Sequence, residues 1–396
     1  MATSFLMGFS AGMPLAILLT LLQAWLEDSG VSLTLIGLLA ITGLPYSLKF
    51  LWSPWLDYWA PFGRRRQSWL LLSQLTLFGL LWTMSTVRPG DFRTVLWLAV
   101  LISLASATQD IAVDAYRRED LTDAELTTGS ALYMWGYRLG MTVISGVLLA
   151  LADRLGWAAV FRTAALLSFA GPLTLIFSPE PRSSALKPQS FRESVVKPLK
   201  EFFQRANPFL VLGFVFFYRF GEQFVSSINT AFFLKIGYTK VEIGLVVKAF
   251  GLVSTLGGIS LAGWGMRRWG LIRCLWIFGW LQIFNCACLM CLWLLPAEAD
   301  YLALFISLDH LSVGGGAAVF VAFLTSQTNV SYTATQYALL SSLMALPRSL
   351  LSSPSGYLAE NFGWPFFYGL GAVLTLPGLW LLKKLTDRGQ VKSLLQ

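Results

Sequence analysis

Apolar runs recur along the whole chain, and each is broken by a short polar connector. A membrane-spanning helix needs about 20 apolar residues, enough to cross about 30 Å of hydrocarbon at 1.5 Å per residue. In lipid every backbone N–H and C=O group must pair within the protein, and these runs are too long for barrel strands. The sequence therefore predicts an all-α membrane protein with twelve transmembrane helices, at 4–26, 34–56, 69–87, 95–115, 127–152, 157–178, 207–233, 242–263, 270–294, 301–327, 333–358 and 364–382.

The distribution of basic residues accounts for the net charge of +8. With the N-terminus in the cytoplasm, the cytoplasmic connectors are rich in Lys and Arg. The opposite connectors hold only Arg88, Arg93, Arg154, Lys235 and Lys240. This positive-inside bias predicts that both termini are cytoplasmic, and it leaves no need for a nucleic-acid partner. All four cysteines fall in the ninth span, where Cys acts as a small apolar residue, so neither a metal site nor a cofactor is expected.

The two halves of the chain resemble each other at a constant offset of 207 residues. Gly63 and Arg66 correspond to Gly270 and Arg273, and further matches follow in the same register. We therefore divide the chain into a six-helix bundle at 1–178, a cytoplasmic linker with a possible amphipathic helix at 179–206, a second bundle at 207–383 and a tail at 384–396. Parallel repeats of six helices with the cargo site between them are the architecture of major facilitator transporters.

The connector after the second span supports this interpretation. Its sequence, DYWAPFGRRR at 57–66, resembles the facilitator loop that carries an acidic residue, a glycine and a basic cluster. The residues of this loop are Asp57, Gly63, Arg64, Arg65 and Arg66. A basic anchor of the positive-inside kind is the alternative.

Acidic residues in the fourth span are candidates for proton coupling. Asp110 and Asp114 lie one turn apart and share a face of the helix. Two close carboxylates in a low dielectric cannot both ionise cheaply, so one is expected to hold a proton. Lys49 in the second span is the expected counter-ion. We expect Asp114 to lie nearer water than Asp110.

Other polar groups inside the spans are candidates for cargo binding. A charge at the bilayer centre costs about 3 kcal/mol or more on insertion scales, so such groups should face a cavity or one another. Arg138 and Arg219 are the expected main contacts; for each of them a structural ion pair is the alternative. The remaining candidates are Glu222, Lys248, Asp309, Arg348, Tyr46, Gln109, Tyr137, Asn229, Gln327, Gln336 and Tyr337.

Several longer stretches resemble the AmpG-type muropeptide permeases, a branch of the major facilitator superfamily. They include GFSAGMPLA at 8–16, PYSLKFLWSP at 45–54, ATQDIAVDA at 107–115, GYRLGM at 136–141, YRFGEQF at 218–224, EIGLVVKAFGL at 242–252 and TATQYALLSS at 333–342.

This resemblance implies a transporter of the bacterial inner membrane that works as a monomer. The expected cargo is N-acetylglucosamine joined to anhydro-N-acetylmuramic acid, with or without a stem peptide. The cargo is imported for peptidoglycan recycling, by proton symport, and in some bacteria it induces β-lactamase. The resemblance also favours Asp110 and Asp114 as the proton-linked pair.

Three alternatives stay open from the residues. The cargo could be another sugar, a peptide or a CoA thioester. An intramembrane enzyme of cell-wall synthesis is disfavoured, because the ionisable groups spread over both halves and no loop carries a catalytic or metal motif. A sensor is disfavoured because the chain has no soluble output domain.

Overall fold

The computed structural model describes residues 2–31, 33–122, 125–178, 181, 191–226, 228–329 and 332–387, and every element in them is helical. This confirms the all-α prediction. A helical segment coincides with each of the twelve predicted spans, and most helices extend a few residues beyond the apolar run. Seven of the described helices are long and apolar enough on their own to cross a membrane.

The first half contains the first six spans. The first is Ala2–Asp28, the third Arg65–Met84 and the fourth Phe92–Asp120. The second span is broken into Leu33–Leu38, Leu39–Gly43, Leu44–Leu48, Lys49–Leu51 and Ser53–Tyr58, with Pro45 and Pro54 at the starts of two pieces. The fifth span is Leu126–Thr142 with a π-helical turn Val143–Leu148, a short helix Ala152–Leu155 follows, and the sixth span is Trp157–Ser168 with Ala170–Phe177.

The second half begins with the linker helix, Phe191–Phe203. The seventh span is broken into Pro208–Phe217, Phe220–Ser226 and Asn229–Lys235. The remaining spans are continuous: Lys240–Trp269, Leu271–Leu292, Ala299–Ser326, Thr333–Phe362 and Trp364–Asp387.

The repeat is visible in the backbone. Among the described residues, six glycines have a left-handed φ. Glycine adopts this conformation without steric cost. They form three pairs at the predicted offset of 207 residues. The pairs are Gly30 and Gly237 (φ of 74° and 110°), Gly63 and Gly270 (80° and 83°), and Gly156 and Gly363 (75° and 82°). The turns that reverse the chain are thus the same in both halves.

The chain forms two compact units whose limits differ from the sequence halves. The first unit comprises Met1–Thr122, Leu132–Leu199 and Thr328–Ser342; the second comprises Asp123–Ala131, Lys200–Gln327 and Leu343–Gln396. The start of the eleventh span, from the second half of the sequence, therefore belongs to the first unit. The bundle boundaries drawn from the sequence stay a prediction.

Glycines bring the first and fifth spans into backbone contact within the first unit. A Cβ added at Gly136 would lie 1.9 Å from the carbonyl oxygen of Phe5, and one added at Gly12 would lie 2.2 Å from the carbonyl oxygen of Tyr137. Small residues at such crossings allow the close packing that holds helices together in lipid.

We expect Gly136→Ala to destabilise the protein, because the new methyl group forces two backbones apart. An overpacked core position costs about 1–3 kcal/mol. Gly79→Ala is the matched control, since a Cβ at Gly79 meets no atom within 4 Å. The measurement is the unfolding temperature of each variant in detergent. Equal temperatures for the two variants would contradict the packing argument.

Candidate transport site

The facilitator loop forms a buried ionic network around Arg66. This guanidinium donates to Asp57 Oδ1 at 2.7 Å, to Glu119 Oε1 at 3.0 Å through Nε, and to the carbonyl oxygen of Leu56 at 3.0 Å. Arg65 adds a 3.2 Å ion pair to Glu119. Two cations thus face two carboxylates at nearly complete burial, which balances the charge.

The same network holds the start of the eleventh span. Asp57 Oδ2 accepts the backbone N–H of Thr335 at 3.0 Å and its hydroxyl at 2.8 Å. The Thr333 hydroxyl contacts both Arg66 and Glu119. The first N–H groups of a helix have no partner inside it, and the helix dipole favours an anion there. Asp57 therefore caps a helix that lies far away in sequence.

The other two loop residues have different positions. Gly63 has a φ of 80° and turns the chain before the third span. Arg64 is exposed and donates to Gln67 Oε1 at 3.0 Å. Glu119 was not among the sequence candidates; the only signal for it is an acidic residue placed after Arg117 and Arg118, at the end of the fourth span.

Asp114 forms an ion pair that lies beside two tyrosine rings. Its Oδ1 accepts from Arg117 at 3.0 Å. The Arg117 guanidinium lies 4.3 Å from the centre of the Tyr133 ring and donates to the Tyr337 hydroxyl at 3.1 Å. Such stacking adds cation–π attraction to the ion pair.

Asp110 has a different environment on the same helix face. One of its carboxylate oxygens is buried and has no hydrogen-bond partner among the described residues. Lys49 is 5 % exposed and interacts electrostatically with both Asp110 and Asp114. Tyr46 lies beside them and donates to the Ser106 hydroxyl at 2.9 Å.

One expectation about the pair is wrong. Asp114 is 5 % exposed, whereas Asp110 is only partly buried, so Asp114 does not lie nearer water. The reason is the eleventh span, whose first turns carry Tyr337 and belong to the first unit.

The second unit has its own polar cluster. Arg219 donates to Glu222 Oε2 at 2.8 Å and also to the other carboxylate oxygen. Asp309 is 8 % exposed and accepts from the Asn285 amide. A cavity of about 10 Å³, room for about one water molecule, is lined by Glu222, Val225, Gln282, Asn285, Cys286, Asp309, Ser312 and Val313.

Sequence reasoning missed Gln282 and Asn285, although it selected other amides such as Gln109. A usable signal existed, since two amides three residues apart in an apolar helix share one face.

The remaining candidates are spread over both units. Gln109 donates to the Ser10 hydroxyl at 2.9 Å, and Gln336 donates to the carbonyl oxygen of Pro198 at 3.1 Å. Asn229 Oδ1 accepts from the Tyr368 hydroxyl at 3.2 Å. Gln327 follows the tenth span and its carbonyl oxygen accepts from Arg205.

Tyr137 and Arg138 are partly buried in the fifth span. The side chains of Lys248 and Arg348 lie outside the described residues. Cargo binding by any of these candidates stays a prediction.

Comparison with known proteins gives a consistent result. The family model of the Major Facilitator Superfamily matches residues 4–352. An uncharacterized protein of Haemophilus influenzae is 39% identical over 393 residues, covering 95% of this chain and 92% of the relative. The anhydromuropeptide permease of Escherichia coli K12 is 37% identical over 385 residues, covering 96% of this chain and 78% of the permease. A putative transporter AmpG 4 of Rickettsia conorii is 31% identical over 399 residues, covering 98% of this chain and 96% of the relative.

Solved structures share the fold. The human organic anion transporter MFSD10 superposes with a TM-score of 0.75 at 17% identity, covering 96% of this chain and 98% of that one. The proton:xylose symporter XylE superposes with a TM-score of 0.70 at 13% identity, covering 97% of this chain and 93% of that one. The predicted fold class is confirmed.

Proposed function

We propose that this chain, which belongs to the major facilitator superfamily and within it to the permeases of the AmpG type, carries anhydromuropeptides across a bacterial membrane. The observation that carries the proposal is the 37% identity to an anhydromuropeptide permease over 96% of this chain. The polar groups inside both units suit such a cargo, because a disaccharide with a peptide needs amides, hydroxyls, aromatic rings and charges together.

The direction and the energy source are further parts of the proposal. We propose import across the inner membrane, with both termini in the cytoplasm, driven by proton symport. Asp110 is the proposed proton carrier, since a carboxyl with an unpartnered oxygen and a nearby Lys49 can take up or release a proton with little rearrangement. The paired Asp114 is held by Arg117 instead.

Purified protein in lipid vesicles tests this function. Labelled N-acetylglucosaminyl-anhydromuramic acid should accumulate inside when the outside is made acidic, and a protonophore should collapse the accumulation. Xylose and acetyl-CoA serve as comparison cargoes. Transport of either of these without uptake of the muropeptide would reject the cargo, and uptake that ignores the protonophore would reject symport.

The two central arginines are expected to behave differently when changed to Lys. Arg219 already has two hydrogen bonds to Glu222, so Arg219→Lys should lower the unfolding temperature, because an ammonium cannot reproduce a forked pair. Arg138→Lys should instead weaken muropeptide binding, with a smaller change in stability. Binding affinity and unfolding temperature, measured on both variants, check this. Unchanged affinity in Arg138→Lys would remove that residue from the cargo site.

A further inference from the structure

The polar cavity of the second unit carries one carboxylate that no ion pair among the described residues neutralises. Glu222 is paired with Arg219, but none of the ion pairs among the described residues involves Asp309. Its hydrogen-bond donor is the neutral amide of Asn285. An ionised carboxylate inside a membrane helix needs a compensating charge, because burial removes its hydration.

Three neutral oxygen atoms around the same cavity have no hydrogen-bond partner among the described residues. They are Gln282 Oε1, Asn285 Oδ1 and Ser312 Oγ, and their residues are 3 %, 7 % and 1 % exposed. All three residues line the cavity together with Asp309. Buried acceptors are normally satisfied, so this set indicates a missing partner. The side-chain nitrogen of Gln282 is also unpartnered, so its amide can turn without losing a hydrogen bond.

The fold does not require a carboxylate or a hydroxyl at two of these positions. At the offset of 207 residues the buried Asp309 and Ser312 correspond to Ile102 and Ala105, which are also buried and are apolar. The fourth span therefore packs in the first half with no polar group at these two positions. Polar residues retained at a cost inside a membrane indicate a function.

We propose that this cavity binds one dehydrated monovalent cation, Na⁺, held by the Asp309 carboxylate and by the oxygens of Gln282, Asn285 and Ser312. A single carboxylate without an ion pair among the described residues matches a single positive charge. Hard oxygen ligands suit a hard cation. The cavity has room for about one water molecule, which favours Na⁺ over the larger K⁺. Glu222, which accepts a hydrogen bond from Arg219, lines the same cavity.

Ion binding to the full-length protein in detergent, without any cargo, tests the proposal independently of the transport function. NaCl should raise the unfolding temperature in a saturable way, as a ligand specific for the folded state does. Equal concentrations of KCl and choline chloride should have a much smaller effect. Radioactive Na⁺ should bind with a stoichiometry of about one per chain.

Two variants in the site and one outside it complete the experiment. Ser312→Ala removes an oxygen that has no hydrogen bond to the described residues, so the protein should fold normally and bind Na⁺ about tenfold more weakly. Asp309→Asn should abolish the Na⁺ effect, and Asp91→Asn, at an exposed helix cap in the first unit, should leave it unchanged. The proposal is overturned if all three salts stabilise equally, or if Asp309→Asn binds Na⁺ as the unmodified protein does. Stabilisation that follows pH alone would assign the cavity to a proton and a water molecule instead.

Discussion

Replacing Arg66 with Gln is expected to destabilise this protein more than any other single change in the facilitator loop. The substitution leaves Asp57 and Glu119, both almost fully buried, with Arg65 as the remaining ion-pair partner in the part of the chain that the structure describes. Removing one partner of a buried ion pair costs about 3–5 kcal/mol, because the remaining charge is neither hydrated nor paired. The unfolding temperature in detergent and the yield of folded protein measure this loss.

Arg64→Gln is the matched control for this prediction. It removes the same charge two residues earlier, from an exposed side chain whose contact is the amide of Gln67. The double variant Arg66→Gln with Glu119→Gln should regain part of the stability, since the stranded carboxylate is then neutral. If Arg64→Gln and Arg66→Gln unfold at the same temperature, the network contributes nothing beyond the positive-inside charge.

Asp110→Asn is expected to reduce gradient-driven uptake to the background of empty vesicles while the protein stays folded. Asn keeps the shape of the side chain but cannot carry a proton, and the change breaks none of the ion pairs among the described residues. Uptake under an imposed proton gradient is the measurement, with the unfolding temperature taken on the same sample. Concentrative uptake at the unmodified level would exclude Asp110 from the coupling mechanism.

Two further Asp→Asn changes separate coupling from structure. Asp91→Asn should change neither uptake nor the unfolding temperature. Asp91 caps the N-terminus of the fourth span, and Asn caps a helix equally well. Asp114→Asn should lower the unfolding temperature, since it leaves the buried Arg117 without its carboxylate. A stable Asp114→Asn protein without coupled uptake would instead make Asp114 the proton carrier.

The general architecture could be predicted because it follows from length and repetition. Apolar runs set the helices, and the offset of 207 residues, read from glycines and charges, reappears in the turn geometry of Gly63 and Gly270. The contacts of the site could not be predicted in the same way. Nothing local to Asp57 indicates that Thr335, on the eleventh span, is its partner.

The errors and omissions have physical causes as well. Depth along the fourth span suggested that Asp114 meets water, but burial depends on the eleventh span packed beside it. Asn285 and Gln282 were overlooked although other amides inside the spans were selected. Their importance depends on Asp309, which lies on a different helix.

The membership of Thr328–Ser342 in the first unit has a consequence for how the protein is synthesised. A ribosome that has finished the first half and the linker has not yet made all of the first unit. The carboxylate of Asp57 cannot accept hydrogen bonds from the N–H and hydroxyl of Thr335 until the tenth span has also been made. At 5–20 residues per second this delay is about ten seconds. During that interval the first six helices lie in the bilayer without the eleventh-span contacts that complete the first unit.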